Sequence, residues 1–337
     1  MSPEESIRIS VIGTGKMGYY HARLLSRLGY LDSVVDLNSK IAETVGKQFG
    51  KPWFSSIEAM QHTQNPNGAI IAVPTETHPV VASEIIARVP EIKALLIEKP
   101  IAPSVKQAQD LKLKLAKTET KVIVGHIEVF NPVVTRIAEI LSKKNLIGKT
   151  RSVIFQRRGA VAETRIESIG DVYEDIGVHD FDIALRLFIR GNMKLFSTAV
   201  KLNGVANSSI IVISSEEREF NVTFLMSREY AGKLRTIDIE GTRATLCANL
   251  LTQILEMRSL EIARGEKDAS AISIPFSNGE QIKVYGEPLL HEIWNFVDCI
   301  RGKAEPLVSM EDGINVLKIV EAARNSIEKK NIIHLQI

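Results

Sequence analysis

The sequence predicts an α/β protein in two parts: an N-terminal doubly wound parallel sheet, then a C-terminal α/β domain built on a large open, mostly antiparallel sheet. Three observations carry that reading. Over the first ~125 residues, short apolar runs alternate with amphipathic stretches, the rhythm of strand–helix–strand units. Beyond that point the runs alternate apolar with polar residues, as in a sheet with one solvated face. The chain has 337 residues, 45% of them hydrophobic, enough for two domains that each bury a core.

The elements follow in order. Ile7, Ile9 and Val11 open the first strand; Leu31–Asp36, Gly68–Val73, Ala94–Ile97 and Lys121–Val124 give four more. Lys16–Leu28 reads as a helix closed by Gly29, which suits the left-handed turn at a helix end. Val80–Arg88, ahead of Pro90, and Val105–Ala116 are two further helices. The boundary is expected between residues 125 and 132, giving domains of 1–126 and 127–337, with the terminal helices able to pack back on the first. In the second domain Asp180–Phe188 carries Phe181, Leu185 and Phe188 at helical spacing. Ile210–Ser214, Glu219–Leu225 and Leu234–Glu240 read as strands, and His291–Ile300 and Met310–Glu328 as helices.

Composition narrows the function. Lys and Arg number 42 against 40 Asp and Glu, a net charge of +2, which gives no electrostatic case for nucleic acid or an anionic membrane as principal partner. Mean hydropathy is +0.03, and no run approaches the ~18 apolar residues of a membrane span. The polar, acidic opening Met1–Ser6 lacks the basic start and apolar run of a secretory signal, so a cytoplasmic protein is expected. Cys247 and Cys299 stand far apart, as reduced thiols do.

Gly13-Thr14-Gly15-Lys16-Met17-Gly18 fits G-x-G-x-x-G between a strand and a helix, with Asp36 at the end of the second strand. This matches the fingerprint of a dinucleotide-binding Rossmann domain; the alternative is a glycine turn in an unrelated α/β domain with Asp36 solvated. The glycines allow a tight turn and close approach to a pyrophosphate, which the helix N-terminus favours. Asp36 can accept the adenosine-ribose hydroxyls and repels a 2′-phosphate, and Leu37 and Asn38 bring no cation, so NAD is expected over NADP. Pro74, Thr75 and His78 leave the third strand on the side where ligands bind. His78 is either a cofactor contact or a surface histidine capping the next helix.

Glu98-Lys99-Pro100 leaves the fourth strand on the same side. Lys99 is a mobile donor able to polarise a carbonyl or alkoxide oxygen, and the bond before Pro100 is a candidate cis peptide. Asp171 to Asp182 is more distinctive. Asp175 and His179 stand four apart and on a helix share one face, with His179 placed to take a hydroxyl proton. Two alternatives stand beside that reading. One is metal ligation by His126, Asp175, His179 and Asp182, without any HExxH-type frame; the other is a helix cap built from Asp175.

The order of Gly13–Gly18, Asp36, Glu98-Lys99-Pro100 and Asp175-x-Gly177-x-His179 resembles the Gfo/Idh/MocA family of NAD(P)-dependent sugar and cyclitol oxidoreductases. The resemblance implies Lys99, Asp175 and His179 as the catalytic group, all three touching substrate. It also implies a homodimer or homotetramer formed through the C-terminal sheet. Gly125-His126-Ile127-Glu128-Val129-Phe130-Asn131-Pro132 is similar to a segment of the sugar-nucleotide 3-dehydrogenases, which act on UDP-linked N-acetyl-hexosamines or their uronates. By that resemblance Asn131 and Arg165 are substrate contacts. Val129 stands where that branch usually has arginine; Arg157 and Arg158 either replace the cation or are solvated. The expected function is therefore NAD-dependent oxidation of a ring secondary alcohol, with a UDP-N-acetyl-hexosamine preferred. Rival readings are a free aldose or cyclitol dehydrogenase, an enzyme that retains its nicotinamide through each cycle, and an NAD(H)-sensing binding protein without turnover.

Overall fold

The computed structural model describes residues 6–143, 146–166, 169–217, 219–260 and 281–337. The chain divides into two compact units, residues 1–126 with 289–314, and residues 127–288 with 315–337.

The first unit holds a sheet of six parallel strands: β1 (Ile9–Ile12), β2 (Leu31–Val35), β3 (Trp53–Phe54), β4 (Gly68–Ile71), β5 (Ala94–Glu98) and β6 (Lys121–Gly125), in the order β3-β2-β1-β4-β5-β6. Strands β1, β4 and β5 are buried at every position, as their mostly apolar runs suit in a sheet covered on both faces. The order reverses between β1 and β4, which opens a crevice at their carboxyl ends. Between the strands lie α1 (Lys16–Leu28), α2 (Ser39–Phe49), α3 (Ile57–Gln61), α4 (His78–Arg88) and α5 (Val105–Leu115). Helix α1 ends where expected, on Gly29 at φ +76°. Helix α2, not singled out from the sequence, starts on the side chain of Asn38, which accepts from Lys40 N and Ile41 N.

Residues of α9 (Pro288–Ile300) complete this core: Ile293, Phe296, Val297 and Ile300 pack with Ile9, Val11 and Leu25. A Cβ on Gly68 would lie 2.5 Å from Ile300 Cδ1, so β4 begins with glycine where the helix comes closest. The same helix buries Glu292 beside Glu98. Glu98 Oε1 accepts from His21 Nε2 at 2.8 Å and Oε2 from the Lys99 N–H at 3.2 Å. Burial pushes the Glu98 carboxyl up, but the His21 hydrogen bond and the positive charge of His21 and Lys99 outweigh it and hold it below the usual range. Glu292 goes the other way: burial, then the charge of Glu98, push it well above 4.5. Its Oε1 meets no hydrogen-bond donor among the described residues.

The second unit is built on nine strands: β7 (Thr150–Ala160), β8 (Asn192–Leu202), β9 (Val205–Ser215), β10 (Asn221–Ser227), β11 (Glu229–Gly241), β12 (Ala244–Asn249), β13 (Ile254–Ser259), β14 (Gln281–Lys283) and β15 (Ile333–Gln336). Their order is β14-β13-β12-β11-β7-β10-β9-β8-β15. Among the described residues, only β7 and β10 pair in parallel; the other pairs in this sheet are antiparallel. Helices α6 (Pro132–Ser142), α7 (Glu163–Ile166) and α8 (Val178–Leu187) belong here, and the division between the units falls within α10 (Met310–Lys329). The alternation read from the sequence is the alternation of two faces. Phe155 and Phe224 stack at 5.1 Å on the inner face, and Phe181 of α8 meets Phe224 edge-on at 5.0 Å. Phe196, Ile210 and Val212 point to the opposite face and are exposed.

The Glu292 carboxyl makes a testable prediction. An acid whose folded pKa is raised keeps a proton that the unfolded chain has already lost, so its contribution to stability is present at low pH and declines as pH rises above 4.5. Glu292→Gln keeps the shape of the protonated acid and removes this loss. Thermal melting should show E292Q near wild type at about pH 5 and higher by roughly 3 °C or more at about pH 8.5. A constant gap across that range would contradict the assignment.

Candidate active site

The candidate nucleotide site lies in the first unit and is built by the β1–α1 turn. Gly13 adopts φ +88°, and a Cβ there would lie 2.6 Å from Ala72 O; a Cβ on Gly18 would collide with Gly13 O. Gly15 faces open space instead, and as the residue capping α1 it offers no side chain to the first N–H groups of the helix. Those donors, the bare glycine and the reversal between β1 and β4 fit a pyrophosphate. The cavity beside them measures about 850 Å³ and is lined by Gly13, Gly15, Met17, Asp36, Pro74, Glu98 and Lys99, among others, room enough for a dinucleotide.

Asp36 closes one end of this cavity. Its Oδ2 accepts from Thr14 N at 2.7 Å and Thr14 Oγ1 at 2.9 Å, and its Oδ1 from Asn38 N at 2.9 Å. A carboxylate oxygen has two lone-pair sites, so Oδ1 retains one for a ribose hydroxyl. Leu37 beside it is 92% exposed. Thr14 thus acts through Asp36, Lys16 is exposed at the start of α1, and Gly18 is buried in the turn. Thr75 opens a short helical turn after β4.

His78 departs from the expected cofactor contact. The ring is buried at the start of α4, with Nδ1 2.9 Å from Pro100 O and Nε2 2.9 Å from Val73 O. Burial drives its pKa down against the pull of the two carbonyls. The ring ties the loop after β4 to the loop after β5, and its alternation of roles follows from position: the first residue of α4 faces inward, not into the cavity. The Lys99–Pro100 bond is cis. Lys99 itself is half-buried and lines the cavity.

In the second unit the helix carrying Asp175 and His179 starts earlier than its sequence pattern suggested. One wide turn, Tyr173–Gly177, runs directly into α8, with Val178 N–H bonded to Tyr173 O five residues back. Such π-helical turns inside α-helices occur often at functional sites. Capping is done by Asp171, whose Oδ1 accepts from Tyr173 N and Glu174 N, both at 3.1 Å. Asp175 is therefore not the cap. Gly177 is required between Asp175 and His179, because a Cβ would lie 2.8 Å from the Phe181 ring and 2.9 Å from Met226 Sδ. The segment is pinned underneath by Tyr173, whose hydroxyl bonds Ser209 Oγ at 2.9 Å and Ser197 Oγ at 3.2 Å. Arg324 holds it from the side, reaching Asp171 at 2.7 Å and Glu174 at 2.6 Å. Asp175 keeps a quarter of its side chain exposed, and His179 is half-buried with Nδ1 away from solvent.

Two residues behave differently from their expected roles. Asn131 is buried and occupied: Oδ1 caps α6 through Val133 N at 3.1 Å, and Nδ2 donates to Leu250 O at 3.1 Å. Both polar atoms of its side chain thus have partners within the second unit. Arg157 is neither solvated nor a free cation, because inward-facing positions of β7 meet α8. It donates to Asp180 Oδ1 at 2.7 and 3.0 Å and to Glu128 Oε1 at 3.1 Å. Arg158, next along the strand, takes the opposite face and stacks on Tyr230 at 4.7 Å. Arg165 is exposed on α7. Sequence reasoning missed Arg235, which approaches Glu128 Oε1 at 2.7 Å and keeps 39% of its side chain exposed. Burial raises the Glu128 pKa, and Arg157 and Arg235 more than reverse it. Among the described residues, no three His, Cys, Asp or Glu groups gather to hold a metal ion, and no helix is long and apolar enough to cross a membrane.

Comparison with known proteins agrees with this architecture. Residues 7–126 match the model of an oxidoreductase family, NAD-binding Rossmann fold, and residues 163–335 match that family's C-terminal alpha/beta domain. Over 344 residues, covering 98% of this chain and 99% of the relative, the chain is 24% identical to inositol 2-dehydrogenase of Rhizobium meliloti. It is 26% identical to UDP-N-acetylglucosamine 3-dehydrogenase of Acidithiobacillus ferrooxidans over 181 residues, 54% of each chain. The solved structure of that enzyme superposes with a TM-score of 0.82 at 21% identity, covering 96% of this chain and 98% of its own. The glycine turn, the NAD-binding sheet and the matched C-terminal domain together place this chain in the Gfo/Idh/MocA family of NAD-binding oxidoreductases.

Proposed function

We propose that this protein uses NAD to oxidise a secondary alcohol of a sugar ring, with a UDP-linked N-acetyl-hexosamine, oxidised at C3, as the preferred substrate. The observation that carries the reading is the Asp175–His179 pair, held together on one segment capped by Asp171 and pinned by Tyr173. NAD supplies the two-electron acceptor for the carbon–hydrogen bond. His179, with Nδ1 away from solvent, offers Nε2 to take the hydroxyl proton as the alcohol becomes a ketone. Asp175 orients that imidazole or accepts from a neighbouring ring hydroxyl. Lys99 polarises the reacting oxygen.

The nucleotide-linked substrate is supported by the Gly125–Pro132 segment and by the UDP-N-acetylglucosamine 3-dehydrogenase relative. Val129 is buried and uncharged, and the half-exposed Arg235 is the residue proposed to bring a cation to that neighbourhood, together with Arg165. A second reading, oxidation of a free cyclitol, is favoured by the inositol dehydrogenase that matches over nearly the full length of both chains. The occupied Asn131 side chain also withdraws one contact from the nucleotide-linked reading. A homo-oligomer through the exposed face of the nine-stranded sheet belongs to the same proposal, supported by Phe196, Ile210 and Val212 on that face.

Two experiments test these assignments. NADH formation measured with UDP-N-acetylglucosamine, its uronate, glucose and myo-inositol should give the highest kcat/KM with a UDP-sugar, by about tenfold or more. A preference for myo-inositol establishes the second reading, and no turnover with any of them counts against both. His179→Ala and Lys99→Ala should each lose about a hundredfold or more in kcat, the worth of a positioned proton-transfer group, while binding NAD as wild type does. Near-normal turnover in both variants would remove the assigned roles.

A further inference from the structure

We propose that Arg228 is a positioning residue for Asp175, an inference that rests on the site reading given above. Arg228 lies between β10 and β11 and is 1% exposed, one of the largest fully buried side chains of the protein. Its guanidinium is held on three sides by neutral acceptors: Nε donates to Asn207 Oδ1 at 2.9 Å, Nη1 to Gly170 O at 2.8 Å, and Nη2 to Ala206 O at 3.3 Å. Its backbone is fixed as well, with Arg228 N bonded to Asn207 O and Arg228 O accepting from Val161 N.

Those contacts give each of the three guanidinium nitrogens a partner without neutralising the charge. A buried cation is costly unless an anion faces it, and among the described residues the carboxylate facing Arg228 is Asp175, with Oδ2 3.6 Å from Nη1. That separation exceeds a hydrogen bond. Arg228 therefore attracts the carboxylate by charge, without itself taking up its lone pairs. The fork shape matters: a guanidinium can bind Asn207, Gly170 and Ala206 while turning one edge to Asp175, whereas an ammonium is a point charge without that planar fork. Gly170 and the capping Asp171 are adjacent in sequence, so the same arginine fixes the start of the helix that carries the pair.

A purely structural bracket would stabilise the loop whatever stood at 175, and a double-mutant cycle separates the two. The kcat and KM of D175N, R228Q, R228K and the double variant D175N/R228Q are measured by NADH formation on UDP-N-acetylglucosamine or myo-inositol, whichever wild type oxidises. R228Q is expected to lower kcat by about tenfold or more with the KM for NAD within about twofold of wild type, and R228K to recover part of the loss. In the D175N background, R228Q should cost less than about twofold, because the residue through which it acts is already neutral. If R228Q melts below the assay temperature, R228K replaces it in the cycle with the same two outcomes. An equal loss in both backgrounds, or wild-type kcat in R228Q, overturns the inference alone. Full turnover in D175N overturns the site reading beneath it, and the inference with it.

Discussion

The constraint on which this structure depends is the burial of charge behind its candidate site. Three ionic groupings stand out: Glu98 with His21 and Arg157 with Asp180 and Glu128, both closed off from water, and the buried Arg228 with the partly exposed Asp175. Each stands directly behind, or within, a segment carrying a residue assigned to chemistry. Breaking one partner out of such a buried pair costs about 3–5 kcal/mol, against about 1 kcal/mol for an ordinary hydrogen bond and about 5–15 kcal/mol for a whole domain. A segment anchored this way is held in one arrangement by a penalty that few alternatives can meet. Rigid backing of that kind is what a site needs when its own side chains must stay partly exposed.

The Rossmann half was legible because its signals are local. Gly13, Gly15 and Gly18 answer to a turn of a few residues, and Asp36 is tied to that turn through Thr14. Strands covered on both faces read as mostly apolar runs, so β1, β4 and β5 were evident. Less was legible in the second unit. Strand β8 carries Phe196 and Val200 among its exposed positions and Ser197 inward, which blurs its alternation. Ser197 is tolerated inside because Tyr173 and Ser209 share its hydroxyl, and that partnership spans residues far apart in sequence. Arg228 and Arg235 were illegible for the same reason: nothing near them in the chain announces Asn207, Asp175 or Glu128.

The Gly125–Pro132 segment shows how a motif can be read correctly as a resemblance and still mislead residue by residue. Glu128 anchors two arginines from β7 and β11, and Asn131 caps α6 while donating to Leu250 O. Both are polar residues whose side chains bind other parts of the second unit. His78 belongs with them, a polar residue at the mouth of a strand that faces inward to bind two backbone carbonyls. What separates these from Lys99, Asp175 and His179 is exposure, which sequence does not display.

The Asp175-x-Gly177-x-His179 spacing gathers several of these threads. A wide turn brings Asp175 and His179 into sequence with an ordinary helix while leaving a backbone that must press close to the sheet at Gly177. The space a side chain would need there is filled by Phe181 from the helix and Met226 from β10. Met226 lies two residues before Arg228, so the strand that crowds Gly177 also delivers the guanidinium to Asp175. The glycine is thus the condition for close approach, and close approach is the condition for a buried arginine to act on the carboxylate. A residue with a side chain at 177 would lift the turn from β10 and lengthen the 3.6 Å separation on which that electrostatic hold depends.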